Sequence, residues 1–85
     1  MRCTVDLSPR AQRDLKRLPQ AIRTRILARL EALSDDPRPV GSRLLSSVKG
    51  YYRLRVGDCR AIYSIEDDRL FVLVVKVGHR RDVYR

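Results

Sequence analysis

Residues 51–65 constrain the fold more than any other stretch of the chain. Tyr51 to Val56 and Cys59 to Ile65 each alternate with a period of two, and Gly57-Asp58 stands between them. A Gly-first dipeptide between two alternating runs marks a hairpin turn, because its backbone twist suits the twist of the flanking strands. With the turn placed there, cross-strand partners have numbers that sum to 115. Leu54 then meets Ala61 and Tyr52 meets Tyr63, both sensible core pairs. On the other face Arg53 and Arg55 stand with Tyr51, and Arg55 meets Arg60. Like charges directly opposite one another normally destabilise a sheet. A phosphate between the guanidinium groups turns that repulsion into charge-assisted hydrogen bonds. Splayed, solvated arginines are the bland alternative, and the phosphate is the favoured reading.

The rest of the chain builds around this hairpin. Residues 2–7 alternate as a short half-buried strand, followed by Ser8-Pro9, an N-cap with Pro at the first helical position. Ala11, Leu15 and Leu18 mark a first helix that Pro19 ends. A second helix is predicted over 20–34, with Ile22, Ile26, Leu30 and Leu33 as its apolar stripe and Ala21 and Leu27 widening it. Asp35 to Pro39 stops it, and a loop runs on to about Arg43. After the hairpin and a turn at Asp67-Asp68, Leu70 to Val77 forms a strand. Its centre, Phe71 to Val75, is apolar on both faces, which places it inside the sheet. The predicted class is α+β, in the order β-α-α-β-β-β: one mainly antiparallel sheet with a helical hairpin on one face, residues 1–85 forming a single domain.

Charge narrows the partners. The 85 residues carry a net charge of +9, and lysine occurs only at 16, 49 and 76, so the cations are mostly arginine. Arginine forks match phosphate bidentately and stay charged when partly desolvated. Cys3 and Cys59 form no CxxC pair and there is one histidine, so no metal or other cofactor is expected. The start lacks the apolar core of a signal peptide, and no apolar run approaches a membrane span. A cytoplasmic protein with reduced thiols is expected. The final stretch, Lys76 to Arg85, adds a titratable imidazole at His79, the pair Arg80-Arg81 and the phenol of Tyr84. A lone histidine is most often structural and a lone tyrosine most often packs. Beside an arginine cluster, the set looks like an RNA-binding and RNA-cleaving surface.

The chain resembles the RelE/ParE superfamily of type II toxin–antitoxin systems over nearly its whole length. The resemblance rests on Ala11 to Leu18 opening the helix pair, on the approach from Leu44 to Gly50, and on two longer stretches. These are Tyr51-Tyr52-Arg53-Leu54-Arg55-Val56-Gly57-Asp58-Cys59-Arg60-Ala61-Ile62-Tyr63 and Val77-Gly78-His79-Arg80-Arg81-Asp82-Val83-Tyr84. Their order and spacing lean to the RelE side. The resemblance implies a ribosome-dependent mRNA endoribonuclease that needs no metal, attacks through the ribose 2′-OH, inhibits translation and is neutralised by an acidic cognate antitoxin. It implies that Arg53, Arg55 and Arg60 hold the scissile phosphate. Arg80 would stabilise developing charge or protonate the leaving oxygen, and Tyr84 would stack on a base. Lys49, Tyr51, Lys76, Arg81 and Arg85 would extend the RNA contact.

The sequence departs from the RelE pattern in carrying arginines at 53 and 55 where lysines are usual, and in lacking a well-placed Glu before the second strand. Arginine effectively never gives up its proton, so the role of general base falls to His79. Two further readings share the fold. One is a ParE-like toxin that inhibits DNA gyrase without cleaving anything, which needs neither the arginine cluster nor His79. The other is a degenerate member that only binds RNA or its antitoxin.

Overall fold

A computed structural model describes residues 2–45 and 50–79 of the chain. The elements run β1 (Thr4–Leu7), α1 (Pro9–Lys16), α2 (Gln20–Ala32), β2 (Ser42–Leu44), β3 (Tyr51–Val56), β4 (Cys59–Glu66), a short 3-10 turn (Asp67–Arg69) and β5 (Phe71–His79). They build one five-stranded sheet in the order β1-β5-β4-β3-β2. β1 pairs in parallel with β5, and every other neighbour is antiparallel. The expected α+β class, the helix pair and the inner position of β5 are all present. No helix among the described residues is long and apolar enough to cross a membrane.

Local chemistry explains the element ends. The Ser8 hydroxyl accepts the Ala11 backbone N–H at 3.1 Å and so caps α1, with Pro9 at the first helical position. Pro19 separates the helices. Gly57 turns β3 into β4 with a φ of +59°, a conformation that side chains with a Cβ rarely adopt. The resulting ladder pairs Leu54 with Ala61, Tyr52 with Tyr63 and Arg55 with Arg60, the register read from the sequence.

The helices cover one face of the sheet. Ala11, Leu15, Ile26, Leu30 and Leu33 pack there against Leu54, Val56, Ala61, Tyr63, Val72, Val74 and Val77. Tyr52 and Tyr63 stack with centroids 5.8 Å apart, and the Tyr63 hydroxyl donates to the Pro37 carbonyl at 2.8 Å. Arg38 fastens the loop before β2. Its guanidinium donates to both Asp67 carboxylate oxygens, at 3.0 and 2.9 Å, and its Nε donates to the Tyr52 hydroxyl at 3.1 Å. This fork raises the Arg38 pKa and holds the Asp67 carboxyl below the usual carboxylate range. Cys3 and Cys59 are free thiols, and burial pushes the Cys59 thiol up.

Three details differ from the sequence reading. Ser42–Leu44 forms an edge strand where a loop was expected. Ile22 is 38% exposed, so the buried stripe of α2 runs from Ile26 to Leu33. The β4–β5 ladder also slips at Ile62/Tyr63: Tyr63 pairs with Val74 but Ile62 pairs with Lys76, which leaves Val75 as the extra residue of a bulge. The bulge is braced from the α1 side. Val74 O accepts from the Ser8 N–H, Val75 O accepts from the Ser8 hydroxyl, and the Asp14 carboxylate accepts the Val77 N–H at 3.0 Å.

Candidate nucleic-acid interface

The face of the sheet away from the helices carries the cations. Strand parity turns Arg53 and Arg55 outward while Leu54 and Val56 go into the core. The hairpin register then sets Arg60 beside Arg55. The edge strand adds a residue that sequence reasoning missed: Arg43 of β2 pairs with Arg53 of β3. Four arginines thus form two rungs, Arg43–Arg53 and Arg55–Arg60. With Gly41 they line a cleft of about 270 Å³.

Their environments differ. Arg43 and Arg55 are exposed, Arg53 is half-buried, and Arg60 retains only 5% of its accessible surface. Arg60 is the one buried charged residue among the described residues. An anion entering the cleft would meet one nearly desolvated guanidinium and three wetter ones. That arrangement strengthens the charge-assisted hydrogen bonds of the inner group.

The position of Arg43 depends on how β2 is held. Gly41 sits at φ +99°, in the left-handed region, and its carbonyl accepts the Arg55 N–H at 3.4 Å. At the other end the Leu45 N–H donates to Tyr51 O at 2.8 Å. The Ser42 hydroxyl donates to Pro39 O at 2.7 Å, and the Arg38 fork fixes the loop that leads in.

The other expected site residues divide into three groups. Tyr51 lies on the arginine face by parity, across from Ser64, and does not line the cleft. Lys76 stands across from Ile62 and lines a different hollow, of about 300 Å³, with Arg10, Asp14, Arg17 and His79. Lys49, Arg80, Arg81, Tyr84 and Arg85 lie outside the described residues.

His79 is not brought to the arginines. It pairs with Cys59, which turns into the core, whereas Arg60 pairs with Gly78. It lines two hollows at the helix side, the one just named and another of about 320 Å³ with Ile22, Arg25 and Val56. The bulge is the cause. Val72 and Val74 are core residues, but after Val75 the phase inverts and Val77 is the next one. An unbroken strand would have put His79 on the same face as Phe71 and Leu73, which is the arginine face.

A five-stranded mixed sheet with a helical hairpin on one face and a cationic cleft on the other defines a RelE-like toxin domain. The family model described as ParE toxin of type II toxin–antitoxin system, parDE, matches residues 5–84. Toxin RelG of Mycobacterium tuberculosis is 35% identical over 83 residues, covering 96% of this chain and 95% of that protein. A putative RelE-like toxin protein of Escherichia coli is 32% identical over 88 residues, covering 99% and 92%. Among solved structures, the toxin–antitoxin complex RelBE2 from M. tuberculosis superposes with a TM-score of 0.84 at 32% identity, over 96% of this chain and 95% of that one. The archaeal RelE–RelB complex from Pyrococcus horikoshii gives 0.83 at 26%, over 96% and 99%. The chain belongs to the RelE/ParE family of type II toxin–antitoxin toxins.

Proposed function

We propose that this toxin is an mRNA endoribonuclease that works on the ribosome and holds the scissile phosphate in the arginine cleft. The observation that carries the reading is the pair of like-charged rungs, Arg43–Arg53 and Arg55–Arg60, converging on one cleft. Like charges set opposite one another are put to use by an anionic ligand held between them. The resemblance to RelE-like toxins supplies the substrate.

In the reaction, the 2′-hydroxyl gives its proton to solvent as its oxygen bonds to the adjacent phosphorus, the bond from phosphorus to the 5′-oxygen breaks, and the departing 5′-oxygen takes up a proton from solvent. The products are a 2′,3′-cyclic phosphate and a 5′-hydroxyl. Negative charge grows on the non-bridging oxygens along the way, and fixed guanidinium groups stabilise it without reorganising. No described residue lining the cleft exchanges a proton near neutrality. The four arginines therefore act by positioning and by charge. Arg80 for the leaving oxygen and Tyr84 for base stacking complete the proposed machinery from outside the described residues. His79, on the other face, is not assigned as the base.

The +9 charge suits an acidic antitoxin as the neutralising partner. The solved relatives RelBE2 and RelE–RelB are toxin–antitoxin complexes. A second reading, inhibition of DNA gyrase without cleavage, is favoured by the matching family model being that of ParE. It gives the cleft no task. Purified protein added to programmed ribosomes separates the two. The nuclease reading expects mRNA fragments with new 5′-hydroxyl ends and no effect on gyrase supercoiling. Supercoiling inhibition with intact mRNA would replace it with the second reading.

A further inference from the structure

We infer that the cleft holds two successive phosphates of an extended single strand, one on each rung, and that Arg43 is the residue that makes the second position. The inference rests on the RNA reading above and gives that site a length requirement.

Sheet geometry sets the spacing. Neighbouring strands lie about 4.8 Å apart, so the two guanidinium groups of one rung can converge on a single phosphate. The rungs are two residues apart along β3, at Arg53 and Arg55, which is roughly 7 Å at 3.4 Å per residue. Two forks are enough for the non-bridging oxygens of one phosphate, so the second rung is left to serve another. Successive phosphates of an extended strand are separated by a comparable distance. Each would then receive two guanidinium forks, enough to occupy its non-bridging oxygens.

The rungs are not equivalent. Arg55–Arg60 sits toward the middle of the sheet and contains the buried guanidinium. Arg43–Arg53 sits at the β2 edge, with Arg43 exposed. The inner rung is therefore assigned the scissile phosphate, where desolvation makes charge stabilisation largest. The outer rung takes the neighbouring one. A ligand with a single phosphate would leave Arg43 unused.

The test measures binding of an oligoribonucleotide that is 2′-O-methylated throughout, so that nothing can be cleaved, with each linkage in turn replaced by a neutral methylphosphonate. Two adjacent linkages are expected to weaken binding to the wild-type protein, by roughly tenfold each, the worth of a charge-assisted contact. In Arg43→Ala the unmodified strand should bind roughly tenfold more weakly, and one of the two penalties should vanish while the other stays. The slope of log affinity against log salt should fall by about 0.7, one phosphate contact on a single strand. Arg43→Lys should recover part of the affinity and restore the second penalty. A single sensitive linkage, or both penalties intact in Arg43→Ala, would overturn the two-phosphate cleft while leaving RNA binding standing. A wild-type protein that binds the strand with no sensitive linkage, or that binds it neither free nor presented in the A site of a programmed ribosome, would overturn the RNA reading and this inference together.

Discussion

Arg55 and Arg60 face each other across the β3–β4 ladder, the first exposed and the second 95% removed from solvent. In the proposed site these like charges serve binding rather than stability. Arg55→Glu replaces repulsion by attraction, and opposite charges at directly paired positions contribute roughly 0.2–1 kcal/mol. At this exposed position the low end applies. The expected result is a slightly raised midpoint in urea together with lost RNA affinity. A variant that loses stability and keeps RNA binding would contradict the role assigned to the rung.

His79 provides the second prediction, which follows from its place on the helix side of the sheet. A positioned acid–base group is worth about a hundredfold or more in rate. His79→Ala should lose far less, within about threefold of the wild-type cleavage rate, with an unchanged pH profile. A fall of a hundredfold with a flattened pH limb would restore His79 as the base.

The contrast between His79 and the arginines shows what the sequence reveals. Arg53, Arg55 and Arg60 sit next to a turn that names itself, because Gly57 and strict alternation define the register. Every side chain in the hairpin then has an assigned face. β5 has no such signal. It is apolar on both faces, so alternation is invisible, and its bulge falls within Val74-Val75 with no Gly or Pro to mark it. The bulge is imposed from outside, by Ser8 and Asp14 of the α1 region. Arg43 was hidden for a related reason. Three residues cannot show a period, and Ser42–Leu44 becomes a strand only because β3 offers an open edge.

Asp14 supplies the third prediction. Its carboxylate receives the Val77 N–H just past the bulge. Asp14→Ala leaves that part-buried donor unmet, at a cost of about 1–3 kcal/mol. Urea unfolding should show that loss, and exchange of the Val77 amide proton should speed up by more than the global change explains. Unchanged exchange at Val77 would mean the bulge does not depend on α1.

The Arg38–Asp67 fork makes stability depend on pH. The fork holds the folded carboxyl below its ordinary range. Its contribution is therefore present above the unfolded carboxylate pKa and is lost as pH falls through the folded value. Wild type should melt above Asp67→Asn at neutral pH, and the gap should close on acidification below the usual carboxylate range. The difference should be small, since both partners are exposed. A gap that widens in acid would reverse the assignment.

The most direct measurement is the cleavage rate of mRNA on saturating programmed ribosomes for Arg60→Ala against wild type. If the buried guanidinium stabilises charge on the scissile phosphate, the rate should fall by about a hundredfold to a thousandfold, the worth of one fixed electrostatic donor. Cleavage at the wild-type rate by a folded Arg60→Ala protein would contradict the account.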